Sequence, residues 1–177
     1  MVRSDLIAFL LAVSSVFFAQ ESKAQEYTVE GNTLVDSNDN ILYEIVSDTS
    51  GSTSWDSAKS EAEVRGGHLA TITSSAEMLV IEQLYNAVGA GRELFIGGYR
   101  NNGGWTWVNE EGDFTASNLS DPYANWEANE PNNTGEFYAT IGRFGDGRWN
   151  DSSGASGYVI EFDVFRPSIQ INGDAIT

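Results

Sequence analysis

The sequence predicts an α+β domain: two helices in the first half, then antiparallel sheets interrupted by a long loop. Three observations predict it. Two segments, near 55–65 and 74–88, carry helical apolar spacing and helix-capping residues. From residue 93 onward the apolar runs shorten to strand length and alternate with Gly- and Asn-rich turns. Among those strands lies a polar stretch of about 25 residues, Glu110 to Thr134, too long for a passive connection in a compact domain. Helices first and strands afterwards is the α+β order.

Each element has a local cause. Glu26 to Asn40 is polar and turn-rich, with short apolar runs suited to a hairpin, and Ile41 to Val46 reads as a strand. From Trp55 to Arg65 the residues Trp55, Ala58 and Ala62 share one helical face, Ser54 caps the start and Gly66-Gly67 ends the helix. His68 to Ile72 follows as a short strand. Ser74 with Glu77 forms a capping box that opens a second helix, with Leu79, Val80, Leu84, Ala87 and Val88 as its expected apolar face and Gly89 to Gly91 as its stop. Leu94 to Ile96 and Trp105 to Val108 are strands joined through Asn102-Gly103-Gly104. Phe137 to Ile141, Gly147 to Trp149 and Tyr158 to Phe162 supply three more. Trp126 and Tyr123 argue that the long polar stretch is ordered.

Composition narrows the function. A hydrophobic content of 41% with 12% aromatic residues suits a packed core. Nine basic against 26 acidic residues give a formal net charge of −17, which excludes nucleic acid and anionic membranes as natural partners. A cation is the natural partner instead, although most of these carboxylates serve solubility. The N-terminus reads as a signal peptide over 1–24: Arg3, then an apolar run from Leu6 to Phe18, then Ser22-Lys23-Ala24. That run is too short to span a bilayer, so the mature chain is expected to be secreted, extracellular or at the cell surface, without membrane insertion. Residues 25–40 read as an extension and 41–165 as the domain.

Two short stretches carry the chemistry. Glu130-Pro131-Asn132, with Glu136 close behind, and Trp149-Asn150-Asp151 offer three carboxylates and two amide oxygens. Ca²⁺ selects hard oxygens, typically six to eight at about 2.3–2.6 Å, whereas transition metals draw on His or Cys. The chain has only His68, read as structural, and no cysteine. The oxygen set therefore points to Ca²⁺ as cofactor.

Over roughly residues 41–163 the order of landmarks resembles the C-type lectin-like domain. Gly66-Gly67-His68-Leu69-Ala70-Thr71-Ile72 resembles that family's join of first helix and strand, and Phe95-Ile96-Gly97-Gly98 its central strand. Trp105, Trp107 and Asn125-Trp126 match its aromatic core. Glu130-Pro131-Asn132 and Trp149-Asn150-Asp151 match its principal calcium and sugar site. The resemblance implies a cis bond before Pro131 and a metal shell of Glu130, Asn132, Glu136, Asn150 and Asp151, with adjacent sugar hydroxyls completing it. The same five residues would be the carbohydrate-binding set. Glu-Pro-Asn, rather than Gln-Pro-Asp, implies terminal mannose-, glucose- or fucose-type sugars.

The chain also departs from that family. Its usual four cysteines would fall near Ala62, Tyr138, Gly154 and Ile160, and none is present; this fits a bacterial version. Asn133 and Phe137 stand where an auxiliary calcium site would need acids, so a single calcium is expected. Asn118, Asn132 and Asn150 each open a glycosylation sequon, and a glycan on either of the last two would block the shell. Residues 166–177 read as a linker or the start of a truncated immunoglobulin-like repeat. No nucleophile-and-base constellation is found, so an enzyme is not expected. The competing class is a calcium-ordered adhesin or ice-binding domain on the same scaffold, without sugar in the shell.

Overall fold

The computed structural model describes residues 27–36, 41–48, 53–110, 112–114 and 123–163. The expected signal peptide, the segment 166–177 and the Asn118 sequon lie outside the described residues. Strands β1 (Tyr27–Glu30) and β2 (Thr33–Asp36) form an antiparallel hairpin through Gly31, whose φ is +61°. β2 then pairs with β3 (Ile41–Ser47). The extension before residue 41 is thus built into the sheet, with Leu34 fully buried in the main core.

Helix α1 (Trp55–Val64) begins at Ser54, whose hydroxyl accepts from the Ser57 amide at 3.2 Å. Trp55, Ala58 and Ala62 are buried as their spacing predicts. Gly66 closes the helix with φ of +86°, a conformation open to glycine, and the Gly67 amide returns to the Ala62 carbonyl at 3.0 Å. Gly67 is also required by space, since a Cβ there would lie 2.4 Å from the backbone oxygen of Glu161. Gly67→Ala is therefore expected to cost about 1–3 kcal/mol by forcing β4 (His68–Leu69) off β10 (Gly157–Glu161). Urea unfolding checks this; wild-type stability would show that the two strands separate freely.

Helix α2 (Ser75–Leu84) starts in the expected capping box between Ser74 and Glu77. Its buried face matches the expected one only in part: Leu84 is buried and Val80 and Val88 pack half-buried against the core. Met78, Ile81 and Leu84 are buried, with Tyr85 following, whereas Leu79 is 61% exposed and Ala87 is exposed. The cause is the run Met78-Leu79-Val80-Ile81, which places apolar groups on every side and leaves periodicity undecided. The chain continues through one wide π-helical turn, Tyr85–Gly89.

The remaining strands are β5 (Leu94–Asn101), β6 (Gly104–Trp107), β7 (Asp113–Phe114), β8 (Tyr138–Ile141) and β9 (Trp149–Ser152). Among the described residues the ten strands join one sheet along the order β1-β2-β3-β10-β5-β6-β7, with β4 on β10 and β8 between β5 and β9. The strand pairings are antiparallel except β10 with β5, which is parallel, so the sheet is mixed rather than antiparallel throughout. The β5–β6 turn has φ of +48° at Asn102 and +87° at Gly103, matching the twist that a tight hairpin requires.

Two clusters fill the core. The larger gathers α2, the sheet and the aromatic residues Trp105, Trp107, Phe114, Trp126 and Trp149. The smaller packs Trp55, Ala58 and Ala62 of α1 against Leu69, Phe95, Tyr158 and Ile160. Ala62 and Ile160, two of the positions where cysteines would fall, are both buried in it. Tyr138, at a third, stacks on Trp55 with ring centroids 4.8 Å apart. Apolar and aromatic packing thus occupies three of these four positions, while Gly154, the fourth, has open space around it.

Candidate functional site

The Trp149 strand was expected to end at Trp149. It runs instead to Ser152, which places Asn150 and Asp151 inside β9, both buried. Trp149 directs its ring into the aromatic cluster, edge-on to Trp126 at 5.6 Å and to Trp107 at 5.6 Å. Its backbone stitches the loop alongside: the Trp149 amide donates to Asn125 at 2.8 Å, and the Glu127 amide donates to Trp149 at 2.9 Å. Tyr123, a candidate for stacking on a sugar, is half-buried and edge-on to Trp149. Past Glu127 the chain turns through Asn129 (φ +73°), and the Glu130–Pro131 bond is cis, as the resemblance implies.

Asp151 is the anchor of the site. Its side chain has no exposed surface. Oδ1 accepts from the Asn132 amide and Oδ2 from the Asn133 amide, each at 3.0 Å. The guanidinium of Arg100 lies 3.5 Å from Oδ2. A carboxylate with about four lone-pair sites can take these donors and still face a cation. Glu130 lies beside it. Burial first, and then the adjoining Asp151 carboxyl, hold the Glu130 carboxyl above its usual range. Glu130 Oε2 is buried and has no hydrogen-bond partner among the described residues. Of the two neighbouring carboxylates Asp151 has Arg100 beside it, whereas Glu130 has an orphaned oxygen and only the more distant pull of Arg143.

The other expected ligands stand differently. Asn132 joins through its backbone amide, while its side chain is exposed. Asn150 points its side-chain amide nitrogen at Glu93 Oε1, 2.8 Å away, and its backbone carbonyl accepts from the Thr140 hydroxyl at 3.2 Å. This follows from its place in a strand, where successive side chains leave on opposite faces. Glu136 sits in a turn closed by its amide on the Asn133 carbonyl at 3.1 Å. Among the described residues no three His, Cys, Asp or Glu side chains gather closely enough to hold a metal ion. The structure therefore joins Glu130, Asn132 and Asp151, and leaves Glu136 and the Asn150 side chain outside that contact. Asn133, where an auxiliary site would want an acid, spends its side-chain oxygen on the Gly135 amide at 2.9 Å. Asn150 is 3% exposed, so a glycan on its sequon has no room in the folded domain.

Two participants escaped the sequence reading. Glu93 collects Thr140, Asn150 and, at 3.5 Å, Arg143. Arg100 reaches Asp151 from β5. A basic side chain on a strand of so acidic a chain was the available signal for Arg100; nothing in the residues around Glu93 marked it.

The Glu130–Asp151 pair presents hard carboxylate oxygens, one of them buried without a partner, with the Arg100 guanidinium beside them, so a divalent cation there would need ligands beyond these two acids. Among the described residues, no helix is long and apolar enough to cross a membrane.

Comparison with known proteins agrees with the fold. The family model described as the lectin C-type domain matches residues 51–158. The chain is 37% identical to Halomucin of Haloquadratum walsbyi, over 70% of its own length and 1% of that protein's. It is 30% identical to a perlucin-like protein of Mytilus galloprovincialis, over 55% of its own length and 60% of that one's. It thus spans less than two thirds of either relative. Among solved structures, the C-type lectin domain of murine dendritic cell inhibitory receptor 2, in complex with N-glycan, superposes with a TM-score of 0.56. That match is 20% identical and covers 80% of this chain and 99% of that one. A calcium-independent type II antifreeze protein superposes at 0.53, with 20% identity over 76% of this chain and 88% of its own. With the helices, the mixed sheet and the cis bond before Pro131 in place, the match over 51–158 is decisive: the chain belongs to the C-type lectin domain family.

Proposed function

We propose that this chain is a calcium-dependent carbohydrate-binding module that acts outside the cell and is not an enzyme. The observation that carries the reading is the Glu130–Asp151 carboxylate pair with its unpartnered buried oxygen, held against the Asn132 amide. Glu130, Asp151 and the exposed Asn132 side chain would hold the ion, with Glu136 joining by side-chain rotation and Asn150 only through a shift of β9 that frees it from Glu93. The bound ion would offer its remaining positions to a pair of sugar hydroxyls. The order of acid and amide at Glu130 and Asn132 favours mannose-, glucose- or fucose-type hydroxyl pairs, because exchanging them reverses which group donates. The murine neighbour in complex with N-glycan supports carbohydrate as the ligand class.

A glycan array run in calcium and again in chelator tests the proposal. Binding to terminal mannose-type sugars in calcium, absent in chelator, is expected, and Glu130→Gln with Asn132→Asp is expected to weaken mannose relative to galactose by about tenfold. Equal response to both sugars would end the specificity argument. A second reading, a protein- or surface-binding domain without sugar coordination, draws on one observation: the Asn150 amide is committed to Glu93, away from the pair. The likeness to an antifreeze protein of calcium-independent type adds to it. A partner that calcium-saturated protein binds, and that no monosaccharide displaces, would favour this second reading.

A further inference from the structure

Arg100 holds the loop from two directions. Its backbone amide donates to the Phe137 carbonyl at 2.7 Å, and its Nη2 lies 3.4 Å from the Asn133 carbonyl. The segment 133–137, which carries Glu136, is thereby fastened at both ends to one residue of β5. The same Nη2 lies 3.5 Å from Asp151 Oδ2, and the guanidinium covers the Trp105 ring at 5.1 Å. Trp105 fixes the height of the side chain by a cation–π contact. Arg100 Nε is buried and has no partner among the described residues, and the side-chain contacts toward the loop are made through Nη2.

Charge decides what this arrangement does. Asp151 is fully buried, and a buried carboxylate needs a compensating cation. Without metal, Arg100 is the cation beside it, and Glu130 is the surplus charge. With a divalent ion between Glu130 and Asp151, the two carboxylates balance the ion and Arg100 becomes the surplus charge, of the same sign as the ion. The contacts at 3.4 and 3.5 Å are at the long edge of hydrogen bonding, so a stronger cation can displace them.

We propose that Arg100 is a resident cation of this site: it keeps the 133–137 strap and the Asp151 contacts in place when calcium is absent, and it opposes calcium at Asp151. This rests on the calcium reading above for its second half and not for its first. Calcium would then tune a loop that is already folded rather than fold it, and the affinity would be lower than the oxygens alone provide.

Arg100→Gln and Arg100→Lys in the full domain test it, with isothermal titration of calcium and amide hydrogen exchange in chelator. Arg100→Gln is expected to bind calcium about tenfold more tightly, the loss of one repelling charge. In chelator it is expected to exchange the Asn132 and Asn133 amides at least tenfold faster than wild type. Arg100→Lys keeps the charge and should hold calcium affinity near wild type, while only partly restoring protection, because an ammonium lacks the planar fork. Wild-type affinity and wild-type exchange in Arg100→Gln would overturn the proposal. If neither protein binds calcium, the calcium reading and the opposition fall together, while exchange in chelator still decides the strap. Should Arg100→Gln fail to fold, unchanged protection in Arg100→Lys would count against the fork.

Discussion

Asp151→Asn is expected to destabilise the metal-free domain by about 3 kcal/mol and to abolish any calcium response. The carboxylate accepts from two successive loop amides and faces Arg100 with no exposed surface. An asparagine presents one carbonyl oxygen and one NH₂, so it can satisfy one amide while its own donors confront the other. Arg100 is left partly buried and unpaired, and removing one partner of a buried ion pair costs about 3–5 kcal/mol; the partial exposure of Arg100 places the expectation at the lower end. Urea unfolding in chelator measures it. Near-wild-type stability would mean that the Glu-Pro-Asn loop is held by something other than Asp151.

Glu130→Gln should act in the opposite direction on the metal-free protein. Its carboxyl is held above the usual range by burial and by Asp151, so the charged form is the unfavourable one. Neutralising it should raise stability at neutral pH while removing the calcium response. The sign follows from linkage. A group whose native value is raised contributes stability below its unfolded value and loses it as pH rises through the native one. In chelator, the gap between Glu130→Gln and wild type therefore opens as pH rises from acid to neutral, and closes on acidification. Calcium reverses this for the wild type, because the ion favours the carboxylates and is released as they protonate. Opposite signs for the two carboxylates in chelator would show that Asp151 is compensated and Glu130 is not, and the reversal by calcium is what distinguishes a cation site from an ordinary polar loop.

Much of the scaffold was legible because local chemistry decided it. The Ser54 cap, the Ser74–Glu77 capping box, Gly66 at positive φ and the Asn102-Gly103 turn all act within a few residues, and each is where the sequence placed it. The misreadings share a cause of longer range. The α2 face was ambiguous because four consecutive apolar residues give no direction, and only the core beneath Ile81 and Leu84 selects one. β9 was read short because Asn150 and Asp151 are poor strand formers in isolation. They are tolerated there because Glu93, Thr140 and the loop amides satisfy their polar groups.

The site divides in the same way. The cis bond before Pro131 and the meeting of Glu130 with Asp151 followed from the motif resemblance. Arg100 did not, since it lies about thirty residues before Glu130 along the chain and joins the site only through the β5–β8 pairing. Glu93 is similar: its role depends on β8 and β9 coming to rest beside it.

A calcium titration decides most directly whether the carboxylate pair is a cation site. With a net charge of −17, any salt relieves self-repulsion and raises the melting temperature, so calcium is to be compared with magnesium at matched ionic strength. Isothermal titration of wild type beside Glu130→Gln is predicted to show one saturable calcium site, much weaker for magnesium, and absent from the variant. Identical small responses to both ions in both proteins would show that the pair holds no metal.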